Sequence, residues 1–241
     1  MPSPKTFAPS LAVIAGVGPG LGAALARNFA RNGCKLGLIA RSASYLEELS
    51  AELEGVGTQT VAASGDLARP EDIEGAFRKI RDELGVVDLL INHASAGGPF
   101  GQGILQIDPK QFAMAWKVAA LGGLLCARQV VPGMLSQRGG AILFSGATSS
   151  VRGSAISFSS AKFAVRGLAQ ELARELWPKG IHVAHVVIDA VIGDSGVDPE
   201  KGEPLLDPDA AAETYWQLAT QQRSAWTLEV DLRPHREKFY E

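Results

Sequence analysis

Short apolar runs alternate with longer stretches of helical period from one end of this chain to the other. Residues 11–15 are apolar throughout, and a glycine turn follows them. Beyond the turn, Leu21, Leu25 and Phe29 recur at helical spacing. The second run, 35–40, precedes a polar helix over about 42–54 that gathers Leu46, Leu49 and Leu53 on one face. The third, 60–63, leads to a helix from Pro70 to about Leu84. Proline suits the first helical position, and Glu71 and Asp72 suit the positive end of the helix dipole. Residues 86–91 read as a fourth strand. Asp108 and Pro109 then open a long helix, as cap and first residue, that runs to about 132–135. A fifth strand is expected over 141–144. The next helix covers 154–177, with Ala161, Val165, Leu168, Leu172 and Leu176 in one stripe. Residues 181–188 are almost continuously apolar, as befits a parallel strand covered on both faces. Asp207 and Pro208 begin a last helix, and 226–232 forms a seventh strand.

This alternation predicts one α/β domain over 1–241, a doubly wound parallel sheet with helices on both faces. Ligands of such sheets sit outside the carboxyl ends of the strands, where the strand order reverses. The residues to weigh therefore follow each strand: Gly16–Gly22, Arg41, Asp66, 92–95, 145–150 and Asp189 onward. Gly16, Gly18, Gly20 and Gly22 leave almost no side-chain bulk between a strand and a helix. Backbone can then approach a phosphate closely, and the helix N-terminus offers free N–H groups and a partial positive charge. The spacing Gly16-x-x-x-Gly20-x-Gly22 departs from the dinucleotide fingerprint G-x-G-x-x-G. A tight turn that merely packs the helix on the sheet is the competing reading. Its position directly after the first strand favours the nucleotide.

Composition narrows the partners. The 241 residues are 46% hydrophobic and 20% charged, enough for a sizeable single core. A formal net charge of -3 supplies no basic field for nucleic acid or an anionic membrane. Cys34 and Cys126 are far apart in apolar surroundings and read as reduced core thiols of a cytoplasmic protein. The first ten residues lack the apolar core of a signal peptide. The longest apolar run, about 118–127, is too short and glycine-rich to span a bilayer. His182 and His185 are three apart on a predicted strand and point to opposite faces, so they cannot chelate together, and no metal site is expected.

The order of these features resembles the short-chain dehydrogenases/reductases: a glycine turn, Asp66-Leu67 after a strand, Asn92-x-Ala94, a serine-rich strand end, and a helix bearing Lys162. The resemblance covers nearly the whole chain. It implies a Rossmann-type sheet of about seven strands, a small-molecule substrate, and a homodimer or homotetramer. It also implies a cofactor set of Gly16, Gly18, Gly20, Leu21, Gly22, Arg41, Asp66, Leu67, Asn92, Ala94, Lys162 and Val191. Where the family's NAD-selecting acid would stand there is Ala40, with Arg41 next. A guanidinium pairs with a 2′-phosphate, so NADP(H) is preferred and NAD(H) is the alternative.

The chemical half departs from the family pattern. In place of its Tyr-x-x-x-Lys pair the chain reads Phe158-Ser-Ser-Ala-Lys162. Positions i and i+4 share a helix face, so Phe158 stands where the tyrosine hydroxyl would move a proton, and a phenyl ring has none to move. The family's active-site asparagine falls at Ala119, and its Pro-Gly after the sixth strand becomes Ile188-Asp189. Ser145 lies thirteen positions before Phe158, the family's serine-to-tyrosine separation, whereas counting from Ile142 puts that position at Ala147; Ser149 is also open. Arg166, Gln170 and Arg174 read as a helix face toward solvent or a partner chain, and Tyr215 as a core residue near the substrate loop.

Two readings follow. One is an oxidoreductase exchanging a hydride between NADP(H) and a carbonyl or alcohol, with Lys162, or a water it holds, replacing the missing hydroxyl and Ser145 polarising the carbonyl. The other is a nucleotide-binding sensor or partner subunit without turnover.

Overall fold

The computed structural model describes residues 7–97 and 101–240. Its strands are β1 (Leu11–Ala15), β2 (Lys35–Ala40), β3 (Thr60–Ser64), β4 (Leu89–Asn92), β5 (Gly140–Ser145), β6 (Ile181–Ile188), β7 (Val191–Ile192), β8 (Leu205–Leu206) and β9 (Glu229–Leu232). The helices are α1 (Leu21–Arg31), α2 (Ala43–Gly55), α3 (Pro70–Leu84), α4 (Pro109–Trp116), α5 (Gly122–Gln137), α6 (Ile156–Leu176) and α7 (Pro208–Ala219). Seven strands form one parallel sheet in the order β3-β2-β1-β4-β5-β6-β9, the expected Rossmann-type architecture. Alternate residues of β1 enter the two cores: Leu11, Val13 and Ala15 pack under α3, α5 and α6, while Ala12 and Ile14 pack under α1, α2 and α7. That two-sided burial is why these strands read as unbroken apolar runs.

Helix starts follow local chemistry. Asp108 accepts from Lys110 N at 2.9 Å and Asp207 from Asp209 N at 2.8 Å, each with proline next. Ser42 caps α2 by accepting from Tyr45 N at 3.4 Å. Cys34 and Cys126 are free and buried.

Several boundaries differ from the pattern. The fourth strand begins at Leu89, not at 86. Val86 is exposed, and Asp88 accepts from Ser10 N at 2.9 Å and Leu11 N at 3.0 Å. The start of β4 is thus given over to anchoring β1, a tie that apolar character does not reveal. The long helix continues to Gln137 and carries a π-helical turn, Lys117–Leu121, between α4 and α5. The whole segment Pro109–Gln137 spans 29 residues and has the length and composition to cross a membrane, contrary to the expectation from its shorter apolar core. In this fold α5 packs on β4 and β5, and α4 on α6. The two-residue pair β7–β8 was not foreseen. The glycine-rich segment expected over 97–103 contains residues 98–100, and the N-terminal segment residues 1–6; both lie outside the described residues.

Candidate functional site

Strand order reverses between β1 and β4, and the turns that leave these strands touch. Gly16 has φ 100°, and a Cβ there would stand 2.5 Å from the Ala94 backbone. Only a residue without a side chain permits this approach. A Cβ on Gly22 would stand 3.0 Å from Val17 Cα, whereas one on Gly18 would meet nothing within 4 Å. The first two positions close the turn, and the third leaves space in front of it. Gly20 is the N-cap of α1 and supplies no side-chain cap, and no acid occupies the first turn. The first-turn N–H groups of Leu21 and Gly22 are therefore left for an anion.

Two cavities adjoin this turn and a third shares lining residues with both, forming one groove along the carboxyl edge. A cavity of about 400 Å³ is lined by Gly16, Ala40, Arg41, Asp66, Leu67 and Ala94. One of about 470 Å³ is lined by Gly20, Leu21, Gly22, Ile192 and Asp194. The third, about 500 Å³, is lined by Ser145, Ala147, Phe158, Lys162, Asp189 and Val191. His93 borders all three. Arg41 is exposed and makes no ion pair among the described residues. Asp66 braces its own turn, its Oδ1 accepting from Ala68 N at 2.9 Å. Asn92 is turned away from the groove: a Cβ on Gly123 of α5 would stand 2.7 Å from its Nδ2.

At the far end, Lys162 is buried, and its Nζ donates to Ser145 O at 2.8 Å and sits 5.5 Å from the Phe158 ring centroid. Helical i, i+4 spacing therefore brings both residues to one cavity wall, as the sequence implied. Burial lowers the ammonium pKa to about 8. Ala119 is buried in the π turn, where it has no polar group to offer. The Ser145 side chain is also buried. Its Oγ lies 2.9 Å from His93 Nδ1 and 2.7 Å from Tyr215 OH, on the wall of the same cavity as Lys162. Tyr215 lies wholly in the core under the sheet, not at a substrate loop. Ser149 and Ser154, on the same cavity wall, hydrogen-bond to each other through their hydroxyls.

Residues 10–195 match the sequence family described as short chain dehydrogenase. The chain belongs to the short-chain dehydrogenase family. It is 33% identical to a short-chain dehydrogenase structure from Rhodopseudomonas palustris, with a TM-score of 0.82 over 94% of this chain and 99% of that one. An alcohol dehydrogenase from Thermococcus sibiricus, solved with 5-hydroxy-NADP, is 26% identical, with a TM-score of 0.84 over 95% and 98% of the two chains. Among curated relatives, 1-deoxy-11-beta-hydroxypentalenate dehydrogenase of Streptomyces exfoliatus is 32% identical over 139 residues, 58% of this chain and 50% of that protein. The chain thus spans about half the length of the curated relatives it matches first.

Two arrangements join residues far apart in the chain. Asp189, the acid that follows β6, is buried and engaged: it accepts from Thr148 Oγ1 and pairs with Arg233 at 2.7 Å. Arg233 lies 3.7 Å from the Phe239 ring centroid, which ties the C-terminal segment to the strand end. Arg166 is half-buried and engaged within the chain. It binds Glu229 of β9 through two hydrogen bonds of 2.7 and 2.6 Å, and Glu229 also takes His185 Nδ1 at 2.9 Å. His182 instead stacks on Trp226 at 4.9 Å. Such pairings depend on which strand lies beside β6, and linear spacing does not contain that.

Proposed function

We propose that this chain is an NADP(H)-dependent oxidoreductase that exchanges a hydride with a carbonyl or alcohol in the cavity beside Lys162 and Phe158. One observation carries the reading: an uncapped, acid-free helix N-terminus and a buried lysine lie at two stations of a single groove. Bound NADP(H) would supply or accept the hydride. Gly16, Gly18, Gly20, Leu21 and Gly22 would hold its diphosphate; Asp66, Leu67 and Ala94 its adenosine; Arg41 its 2′-phosphate. Lys162 and Val191 would hold the nicotinamide end, and Asn92 would brace the loop from beneath. Relatives named as dehydrogenases support hydride chemistry, and so does the alcohol dehydrogenase solved with 5-hydroxy-NADP. The sensor alternative draws no such support.

The variant character lies in Phe158. Its ring holds no transferable proton, so Lys162 Nζ, directly or through one water, gives the proton to the nascent alkoxide and recovers it in the reverse direction. A pKa of about 8 suits such a transfer near neutral pH. Ser145 would polarise the substrate oxygen, its Oγ accepting from its neighbours while its own proton faces the cavity, and Ser149, paired with Ser154 on the same wall, is the alternative. The exposed apolar side chains Met114, Trp116, Leu121, Leu124 and Phe163 support a second copy of the chain covering α4, α5 and α6, as a homodimer or homotetramer. Two unpaired thiols support a reducing, cytoplasmic setting.

Phe158→Tyr tests the chemistry. Restoring the phenol should raise NADPH-dependent reduction of at least one aldehyde or ketone in a broad panel by about tenfold to a hundredfold, the low end of what a positioned acid contributes. No gain with any carbonyl, in a variant that still binds NADPH, contradicts hydride transfer in this cavity.

A further inference from the structure

Asp189, just past β6, is a buried carboxylate that ties two separate segments to the wall of the Lys162 cavity. On one side Thr148 Oγ1 donates to its Oδ1. Thr148 opens a short turn after β5, and its carbonyl accepts from Arg152 N at 2.9 Å, which sets Arg152 on that cavity. On the other side Arg233 pairs with Asp189 Oδ2 at 2.7 Å, and Tyr240 N donates to the same oxygen at 3.2 Å. The segment 233–240 is therefore pinned near both ends. Glu237, half-buried between those ties, lines the cavity as well.

Among the described residues, four charged side chains border this cavity: Arg152, Lys162, Asp189 and Glu237. Two of them are engaged, Lys162 with Ser145 O and Asp189 with Arg233. Arg152 and Glu237 make no side-chain hydrogen bond or ion pair among the described residues, either with each other or with a neighbour. A charge on a partly enclosed wall attracts its opposite more strongly than one in open water. One free cation and one free anion, held apart beside Lys162 and Phe158, form the complement of a dipolar ion. A guanidinium matches a carboxylate by a planar two-point contact, and a carboxylate accepts readily from an ammonium.

We propose that the substrate is a small dipolar alcohol or carbonyl compound, a hydroxy or oxo amino acid. Its carboxylate meets Arg152 and its ammonium meets Glu237, with Asp189 the positioning residue that holds both. The proposal rests on the oxidoreductase reading above and deepens it. In the oxidising direction the carbinol C–H bond breaks, and the hydrogen leaves with its electron pair as hydride to NADP⁺. The hydroxyl proton leaves through Lys162 and a carbonyl forms, so the alcohol loses the two electrons that the nucleotide gains.

Four matched alcohols test it. Threonine, as a mixture of all stereoisomers, carries both charges; 3-hydroxybutyrate lacks the ammonium, 1-amino-2-propanol lacks the carboxylate, and 2-butanol lacks both. Saturation-transfer NMR, with and without NADP⁺, reads binding, and NADPH fluorescence reads turnover. Threonine should bind the wild type at least about tenfold more tightly than either singly charged probe, one charge-assisted pairing in each case. Arg152→Gln should erase the preference over 1-amino-2-propanol alone, and Glu237→Gln the preference over 3-hydroxybutyrate alone. Thr148→Val cuts one tie to Asp189, so it should lower the first preference severalfold and spare the second, while Thr148→Ser should restore it. A loss shared equally by both preferences overturns the positioning role. No preference for threonine in the wild type, or preferences unchanged in both Arg152→Gln and Glu237→Gln, overturns the proposal. Threonine bound with these preferences but never oxidised, even by Phe158→Tyr, upholds the dipolar site and overturns hydride transfer, which separates the two failures.

Discussion

Gly16→Ala should destabilise the fold by about 3–5 kcal/mol and lower the melting temperature by about 10 °C, at roughly 2–4 °C per kcal/mol for a domain of this size. Two costs add. The backbone at Gly16 has φ 100°, and holding an L-residue in so sparsely populated a conformation costs about 1–3 kcal/mol. The new methyl would also stand 2.5 Å from Ala94 N and Cα. Those are backbone atoms of the turn leaving β4, so no rotamer change relieves the overlap, and forced overpacking costs about 1–3 kcal/mol more. Gly18→Ala is the matched control, because its added Cβ meets nothing within 4 Å. It should melt within about 2 °C of the wild type while crowding the diphosphate. Thermal denaturation followed by circular dichroism checks both. A Gly16→Ala protein as stable as the wild type would show that the two turns are not held together at this point.

Lys162→Met should stabilise the protein at pH 7 while it loses NADPH. Burial lowers this ammonium's pKa from 10.5 to about 8. The folded state therefore binds the proton less tightly than the unfolded chain does. That penalty on folding is complete below about pH 8 and shrinks as pH rises toward 10.5, where the unfolded chain also gives up its proton. A shift of this size corresponds to about 3 kcal/mol, an upper bound on the gain from an apolar replacement of similar length. The variant should melt a few degrees higher at pH 7, and the advantage should fade through pH 8–10. NADPH affinity should drop about tenfold or more, since Nζ is the cation at the nicotinamide end of the groove. A variant that melts lower at pH 7, or binds NADPH as well as the wild type, would refute the assignment. A buried charge retained at a cost to stability is what a functional group looks like.

Most of the frame was legible in the chain because parallel strands buried on both faces must be apolar throughout, and proline, aspartate and glycine mark where helices start and stop. Pro70, Asp108 and Asp207 each begin a helix where their chemistry says they should. The groove was equally readable, since residues that follow parallel strands collect at one edge: Gly16, Arg41, Asp66 and Ala94 share one cavity there. Contacts across the sheet were not readable. Ser145 is a candidate catalyst in the sequence, and only the fold shows that Tyr215 of α7 reaches its hydroxyl. Asp189 likewise reads as a free acid until Arg233 arrives from the C-terminal segment. His93 is one of four histidines, and its residue type alone does not set it apart. What distinguishes it is its place at the junction of three cavities. The same sheet that makes strand positions predictable hides which side chains meet through it.

The claim at the centre is that the glycine turn and Arg41 hold NADP(H), and one titration addresses it directly. NADPH and NADH are each added to the wild type and to Arg41→Ala, with binding read by nucleotide fluorescence. NADPH should bind the wild type at least about tenfold more tightly than NADH, from a guanidinium paired with the 2′-phosphate, and Arg41→Ala should close most of that gap. Failure of the wild type to bind either nucleotide would contradict the account.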